Sequence, residues 1–320
     1  MTDSPMTTEA VPTTGTAPAD GAQADMGRWQ RVAFSTIRGF LWGFAVLFSL
    51  RGLYLFGQIF GTFEWLINYR RRRRYRRRLK LLLGDALTPQ QRRVEARRFF
   101  MRLRCDKIFY LIFDKIPREK ALARFHYHGT ELIDEALARG RGCFTAMSHH
   151  GSYHVGAMLM ALRGYRIVAV RDQREGGMRK FIQEMYDRRY PEFQRMRVLY
   201  ADTYPRDIYR AFGENYLVGA ALDIHHSRGD QKRTVAVNIL GQQRSFLAGT
   251  LQIALRSGAG VVQAFVISEK NFHYRLDILG PLVENPEGGE TAEMLDSAMQ
   301  AYARNIEKYT LRYPNHVSRV

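Results

Sequence analysis

Cysteine is nearly absent from this chain. Only Cys105 and Cys143 occur in 320 residues, both in apolar contexts, so no disulfide framework is available and a reducing compartment fits. The glycine-rich signatures of nucleotide sites are missing as well. There is no Gly-x-Gly-x-x-Gly and no P-loop, which leaves nucleotide binding without support. Ser152 stands in Gly-Ser-Tyr rather than Gly-x-Ser-x-Gly, so no nucleophile elbow is visible and a serine hydrolase is disfavoured. In the apolar N-terminal region no uncharged run exceeds 12 residues (39–50 and 52–63), whereas a spanning helix takes about 20. Residues 1–27 hold four acids and no base, and lack the basic start and apolar run of a signal peptide. Their Thr, Ala, Pro and Gly content suits a disordered tail.

Acids are scarce throughout. Lys and Arg number 49 against 31 Asp and Glu, giving a net charge of +18 and a sequence pI near 10.1. Eight arginines fall between Arg70 and Arg78, and Lys80 follows. Such a run can meet anionic lipid, at about 1 kcal/mol per charge near the surface, or the phosphates of nucleic acid, or serve as a nuclear-type basic patch. Residues 33–69 decide between these. They are apolar and aromatic, with Phe40, Trp42, Phe44, Phe48, Tyr54, Phe56 and Phe60, and nucleic-acid binding requires no such stretch beside its arginines. The expectation is a lipid surface and no nucleic acid, with residues 28–83 forming an interfacial helical hairpin or tilted anchor. Its arginines would snorkel to headgroups. A pair of helices buried on the domain is the competing reading. On the anchor reading, deletion of residues 33–80 should leave a soluble catalytic domain. The basic run should stay cytoplasmic by the positive-inside rule.

Hydrophobic residues make up 46% of the chain, enough for a sizeable core. Thr88-Pro89 with Gln91 reads as a capping box opening a helix, and Ala96, Phe99, Phe100 and Leu103 mark its buried face. Beyond it apolar strands alternate with helices. Strands are expected at 143–147, 165–170, 198–200, 216–222, 234–240, 261–267 and 274–279, and helices at 130–139, 155–163, 178–189, 206–212, 248–256 and 291–312. This predicts an α/β fold, a mixed central sheet covered by helices, with an N-terminal helical membrane-anchoring segment. The divisions expected are a tail (1–27), membrane-associated helices with the Arg-rich run (28–83), and a catalytic domain (84–320).

One turn holds most of the chemistry. Ser148-His149-His150-Gly151-Ser152-Tyr153-His154 joins the strand Cys143–Met147 to the helix that follows. An imidazole there titrates near neutral pH and can take a hydroxyl proton and return it. The plain alternative is a polar turn whose histidines cap the helix. A metal site from His150, His154, His225, His226 and Asp223 is a further alternative, with looser spacing than a HExxH motif. No metal and no cofactor are expected.

This block resembles the active-site motif of the bacterial late acyltransferases of lipid A biosynthesis, a branch of the lysophospholipid acyltransferase superfamily. Their His-x-Gly-Asn-Trp-Glu is here His149-His150-Gly151-Ser152-Tyr153-His154. The glycine is retained, Tyr153 stands for the tryptophan, and His154 stands where the acid belongs. Other blocks follow in the family's order between residues 37 and 314: Gly57-Gln58-Ile59-Phe60-Gly61, His128-Gly129-Thr130-Glu131-Leu132, Val168-Ala169-Val170-Arg171, and 238–249 as the acceptor loop with the helix after it.

The resemblance implies a membrane-associated enzyme on the cytoplasmic face of a bacterial inner membrane. It would move a fatty acyl group from acyl carrier protein or acyl-CoA to a hydroxyl of a glycolipid or lysophospholipid. His149 would be the base, with His154 in the acid's place. Asp223 would substitute for the missing acid if the fold brings it near, or join Arg171 and Arg244 in binding substrate. Arg171 has a competing reading as an ion-pair partner of Asp172 or Glu175. Backbone N–H groups of Gly151 and Ser152 would hold the oxyanion. The alternative is a catalytically silent relative that binds lipid or a protein partner.

Overall fold

The computed structural model describes residues 27–171, 177–200, 205–223, 233–284 and 289–318, with His154, Arg171, residues 177–180 and Tyr200 described in backbone only. Seven strands form one sheet in the order β1-β9-β8-β2-β5-β3-β4, where β1 is Phe125–His128, β2 Cys143–Met147, β3 Ile167–Arg171, β4 Met196–Tyr200, β5 Leu217–Ala221, β8 Gly260–Ser268 and β9 Tyr274–Leu279. β8, β2, β5, β3 and β4 run parallel; β9 runs antiparallel to β8, with β1 parallel to β9. The sheet is mixed, as the alternation of elements predicts.

Strand periodicity assigns residues to its two faces. Cys143, Val262, Ala264 and Val266 join one buried cluster; Phe144, Ala146, Val261, Phe265 and Ile267 join the other. Over the first face lie α3 (Pro89–Ile112), α6 (Tyr153–Leu162) and α7 (Gly177–Arg189). Over the second lie α8 (Pro205–Gly213), α9 (Gly249–Arg256) and α10 (Ala292–Arg312). Both faces being covered explains why the central strands read as continuous apolar runs rather than alternating ones.

Residues 242–247, expected within an acceptor loop, instead form β7 (Gln242–Leu247), paired antiparallel with β6 (Thr234–Ile239) as a separate two-stranded ribbon. Leu240 and Gly241 turn the chain with positive φ at both positions, the conformation that suits a tight hairpin. The capping box at Thr88 is present: Gln91 N donates to Thr88 Oγ1 at 3.2 Å, and Thr88 N to Gln91 Oε1 at 2.7 Å.

The apolar N-terminal stretch is not fully buried, and it folds back on itself as a helical hairpin would. Its helix α1 (Arg28–Ile67) is broken at Ser49, whose φ of 62° and ψ of 169° are not helical, and the two halves meet where the Phe40 and Phe44 rings stand 6.4 and 5.1 Å from the Phe56 ring. One side packs on α3: Gly57 and Gly61 let the backbones approach, and a Cβ at Gly61 would stand 2.6 Å from Met101 Cα. The other side leaves Phe40, Leu47, Phe48, Ile59 and Phe63 exposed. By length and composition α1 could cross a membrane.

Snorkelling does not hold for Arg38. Its side chain turns inward, donates Nε to the Leu111 carbonyl at 2.7 Å and pairs with Asp114. A buried guanidinium needs such partners, because desolvating a charge costs several kcal/mol. Glu64 is likewise enclosed, held by Arg71 at 2.6 Å and Arg104 at 2.5 Å. The Arg-rich helix α2 (Tyr69–Leu83) turns its few apolar residues inward: Tyr75, Leu79 and Leu82 pack with Phe99, Phe100 and Val317. Residues 33–80 therefore share their core with the following domain. Removing them would uncover the clusters beneath, so a soluble remnant does not follow from this packing.

Candidate active site

Parallel pairing brings two strand ends together. In the β2–β5 ladder Cys143 faces Leu217 and Met147 faces Ala221, a constant offset. Continued two residues past both strands, the same offset sets His149 opposite Asp223. The side chains meet: His149 Nδ1 lies 2.8 Å from Asp223 Oδ1, and the His149 backbone N–H donates to Asp223 Oδ2 at 2.7 Å. Both residues are buried, His149 at 8% exposure and Asp223 at 2%. An ionised carboxylate only accepts, so Nδ1 carries the proton and Nε2 the lone pair. The Tyr153 ring stands edge-on to the His149 imidazole at 5.0 Å.

From β2 the chain runs into α6 on one face of the sheet; α9, which follows β5 in the chain after β6 and β7, lies on the other. The carboxyl ends of adjacent parallel strands are the usual place for a ligand in an open α/β sheet.

The turn itself is held by backbone bonds on two sides. Gly151 N donates to the His316 carbonyl at 2.8 Å, Ser152 N to the Val266 carbonyl at 3.0 Å, and Ser318 N to the His149 carbonyl at 3.1 Å. Gly151 has φ of +75°, and a Cβ there would stand 2.0 Å from Val266 O, so no larger residue fits. The Ser152 hydroxyl is fully buried and donates to Asp106 Oδ2 at 2.6 Å. Ser268 Oγ at 3.1 Å, Tyr274 OH at 3.2 Å and Arg102 Nη1 at 2.6 Å complete the carboxylate's partners.

Several expectations change here. The N–H groups of Gly151 and Ser152, expected to face an oxyanion, already serve carbonyls, because the turn is stitched to β8 and to residues 316–318. Asp223, expected among substrate-binding residues as one option, directs both oxygens at His149. The His154 side chain and the Arg171 side chain lie outside the described residues, as do His225 and His226. Arg244 sits in β7 with Nη2 donating to Gln242 Oε1 at 2.9 Å. His150 turns into the core against Phe265, Tyr309 and His316, away from any shared position with Asp223. Burial, with Arg102 next, lowers its pKa to about 3, so it stays neutral. Among the described residues no group of three or more His, Cys, Asp or Glu side chains is arranged to hold a metal.

Asp106 and His316 escape sequence reasoning. Asp106 was hidden in an Arg-rich helix, and His316 lies 167 positions beyond His149, with no local pattern to link them.

The model of the bacterial lipid A biosynthesis acyltransferases matches residues 31–315. The chain belongs to that family. The match covers α1 and α2 as well as the sheet, so the apolar and Arg-rich helices are part of the family unit rather than an appendage. No curated protein matches the chain. The His149–Asp223 pair lies inside the matched region, His149 on the turn between β2 and α6 and Asp223 two residues past β5.

Proposed function

We propose that this protein transfers a fatty acyl group from an acyl thioester to a hydroxyl of a lipid A-like glycolipid or a lysophospholipid. The observation that carries the reading is the 2.8 Å contact of His149 Nδ1 with buried Asp223. It leaves Nε2 as a base and gives the imidazolium a counter-charge when it forms, the positioning role an acid has beside histidine in acyl-transfer sites.

The steps balance without a cofactor. His149 Nε2 takes the acceptor hydroxyl proton as the oxygen attacks the thioester carbonyl carbon. The tetrahedral intermediate collapses, the C–S bond breaks, and the thiolate takes the proton back from His149. An ester and a free thiol leave. The oxyanion meets the positive end of α6, whose first turn begins at Tyr153. Arg171 and Arg244 are proposed for acceptor or donor phosphates, since a guanidinium pairs phosphate with two parallel bonds.

The donor is acyl carrier protein or acyl-CoA, and the net charge of +18 favours the acidic carrier through long-range steering. The enzyme would work at the cytoplasmic face of the bacterial inner membrane. Two features support that placement: the aromatic residues exposed along α1, and a groove of about 480 Å³ on α2 and the start of α3, lined by Arg72, Arg73, Arg76, Arg77, Lys80 and Arg92.

Lipid mass spectrometry of a deletion strain beside its parent tests the reaction. The expected result is a lipid lighter by one acyl chain, restored by the wild-type gene and not by His149→Ala. An unchanged lipid profile in the deletion strain would leave the silent-relative reading standing, and restoration by His149→Ala would remove His149 as the base.

A further inference from the structure

The turn that carries His149 is flanked by a segment with no part in the chemistry above. After α10 the chain makes a short helical turn (Pro314–His316) and then runs alongside 149–151. His150 and Val317 form an antiparallel bridge, and the bonds from Ser318 N to His149 O and from Gly151 N to His316 O flank it. This short ladder sets the backbone on both sides of His150, and so the direction in which His149 leaves the sheet.

The segment is itself held from outside the sheet. Buried Tyr75, in the middle of the Arg-rich helix, donates its hydroxyl to the Pro314 carbonyl at 2.9 Å. Arg78, one turn on, donates to the Ser318 carbonyl. From α3, Arg102 Nε donates to the Asn315 carbonyl at 3.1 Å, and the Asn315 amide donates to Glu95 at 2.8 Å. On its inner side the His316 ring accepts the Ser268 N–H at Nε2, 3.1 Å away, closing the end of β8 over the same turn. That bond requires an unprotonated Nε2. Burial, with Arg102 and then His150 beside it, holds the ring's pKa well below the ordinary value.

We propose that residues 314–318 are a positioning strap for the dyad, with His316 as the positioning residue that seats it on β8 and Tyr75 as its anchor on the Arg-rich helix. This rests on His149 being the base. The strap gives that base a fixed bearing toward the acyl donor, because near-attack geometry is sensitive to displacements on the order of 1 Å. It also connects the helix that carries the basic groove to the turn that carries the base, through two side-chain-to-carbonyl bonds.

Two readouts on purified full-length protein separate this proposal from the proposed reaction. The first is the kcat and KM of acyl transfer for His316→Ala, His316→Gln and Tyr75→Phe, measured well below each variant's melting temperature. Gln places an amide oxygen near the position of Nε2 and can accept the Ser268 N–H. The expected result is a kcat fall of about 10- to 100-fold in His316→Ala with KM within about twofold. His316→Gln should recover most of it, and Tyr75→Phe should fall less than His316→Ala. The second is the rate at which diethyl pyrocarbonate modifies His149, followed by peptide mass spectrometry, which needs no substrate. That rate should change at least threefold in His316→Ala and return toward wild type in His316→Gln. Variants that melt earlier but keep wild-type kcat and His149 reactivity would overturn the strap. Altered His149 reactivity in His316→Ala, where the wild type transfers no acyl group, would keep the strap and remove the reaction.

Discussion

Asp223 holds His149 at two points, the backbone N–H at 2.7 Å and the ring Nδ1 at 2.8 Å. One carboxylate thus sets both where the turn sits and which tautomer its imidazole adopts. Replacing it with asparagine keeps the size but removes the charge, and its amide can present only one acceptor oxygen. Asp223→Asn is therefore expected to lower transfer by two to four decades, alongside His149→Ala. His154→Ala should cost less than tenfold, and His154→Glu should maintain or raise the rate. Steady-state assays of the four variants decide which residue partners the base. A large loss in His154→Ala with wild-type rates in Asp223→Asn would reverse the assignment.

Gly151→Ala is expected to be among the most damaging single changes in the chain. Its methyl would need space already held by the Val266 carbonyl, at a φ that alanine adopts poorly. Thermal unfolding should show a loss of several degrees or more, and His149-dependent activity should vanish even where folded protein is recovered.

Stability should fall with acid through His150 and His316. Unfolded, the His150 ring takes a proton near its ordinary value of 6.5; folded, only near 3. Between those values the unfolded chain binds more protons, so the fold weakens as pH drops through that window. The slope reaches about 1.4 kcal/mol per pH unit for each such ring. The groups facing His150 are Arg102 from α3, Tyr309 from α10, Tyr313 and His316, and Arg102 opposes the added charge. Denaturant titrations from pH 7 to 4 should show the fall, and His150→Leu should flatten it. An unchanged slope in that variant would remove His150 from the account.

Membrane attachment should follow the outer side of α1 rather than its whole length. Changing exposed Phe40, Phe48, Ile59 and Phe63 to serine should move the protein to the soluble fraction with its melting temperature within a few degrees of wild type. Sedimentation with vesicles containing anionic lipid measures it. Substitutions on the inner side, such as Leu53→Ser or Arg38→Ala, should unfold the protein instead.

Donor charge is open to a direct comparison. Raising salt from 50 to 300 mM should weaken binding of an acidic carrier steeply and acyl-CoA less so, because exposed charges are screened beyond a Debye length. Salt-insensitive transfer, or a clear preference for acyl-CoA, would count against the carrier.

Much of the fold was legible from the chain. The β2 and β9 strands matched their expected bounds, because Cys143–Met147 and Tyr274–Leu279 are short apolar or alternating runs with turn residues beside them. β1 and β7 were not, since Phe125-His126-Tyr127-His128 and Gln242-Gln243-Arg244 carry little apolar signal and gain strand form from their neighbours. At the site, the histidine turn showed in the sequence because its residues are contiguous. The strap and Asp106 did not, because their link to the turn is made through tertiary hydrogen bonds. Arg38 read as a headgroup-seeking cation because its carboxylate partner, Asp114, lies 76 residues away.

The fixed offset between β2 and β5 constrains how this chain can tolerate insertions and deletions. Between α6 and β5 whole residues can be gained or lost without moving the dyad, since the ladder re-establishes the pairing. Within residues 217–223 a single deletion slips Asp223 to the opposite face of its strand. Where Asp223 serves as the acid of the proposed base, a histidine turn with no acid five residues on is no sign of a dead enzyme by itself. The length from β5 to its following acid is then the feature by which relatives with a displaced carboxylate can be recognised.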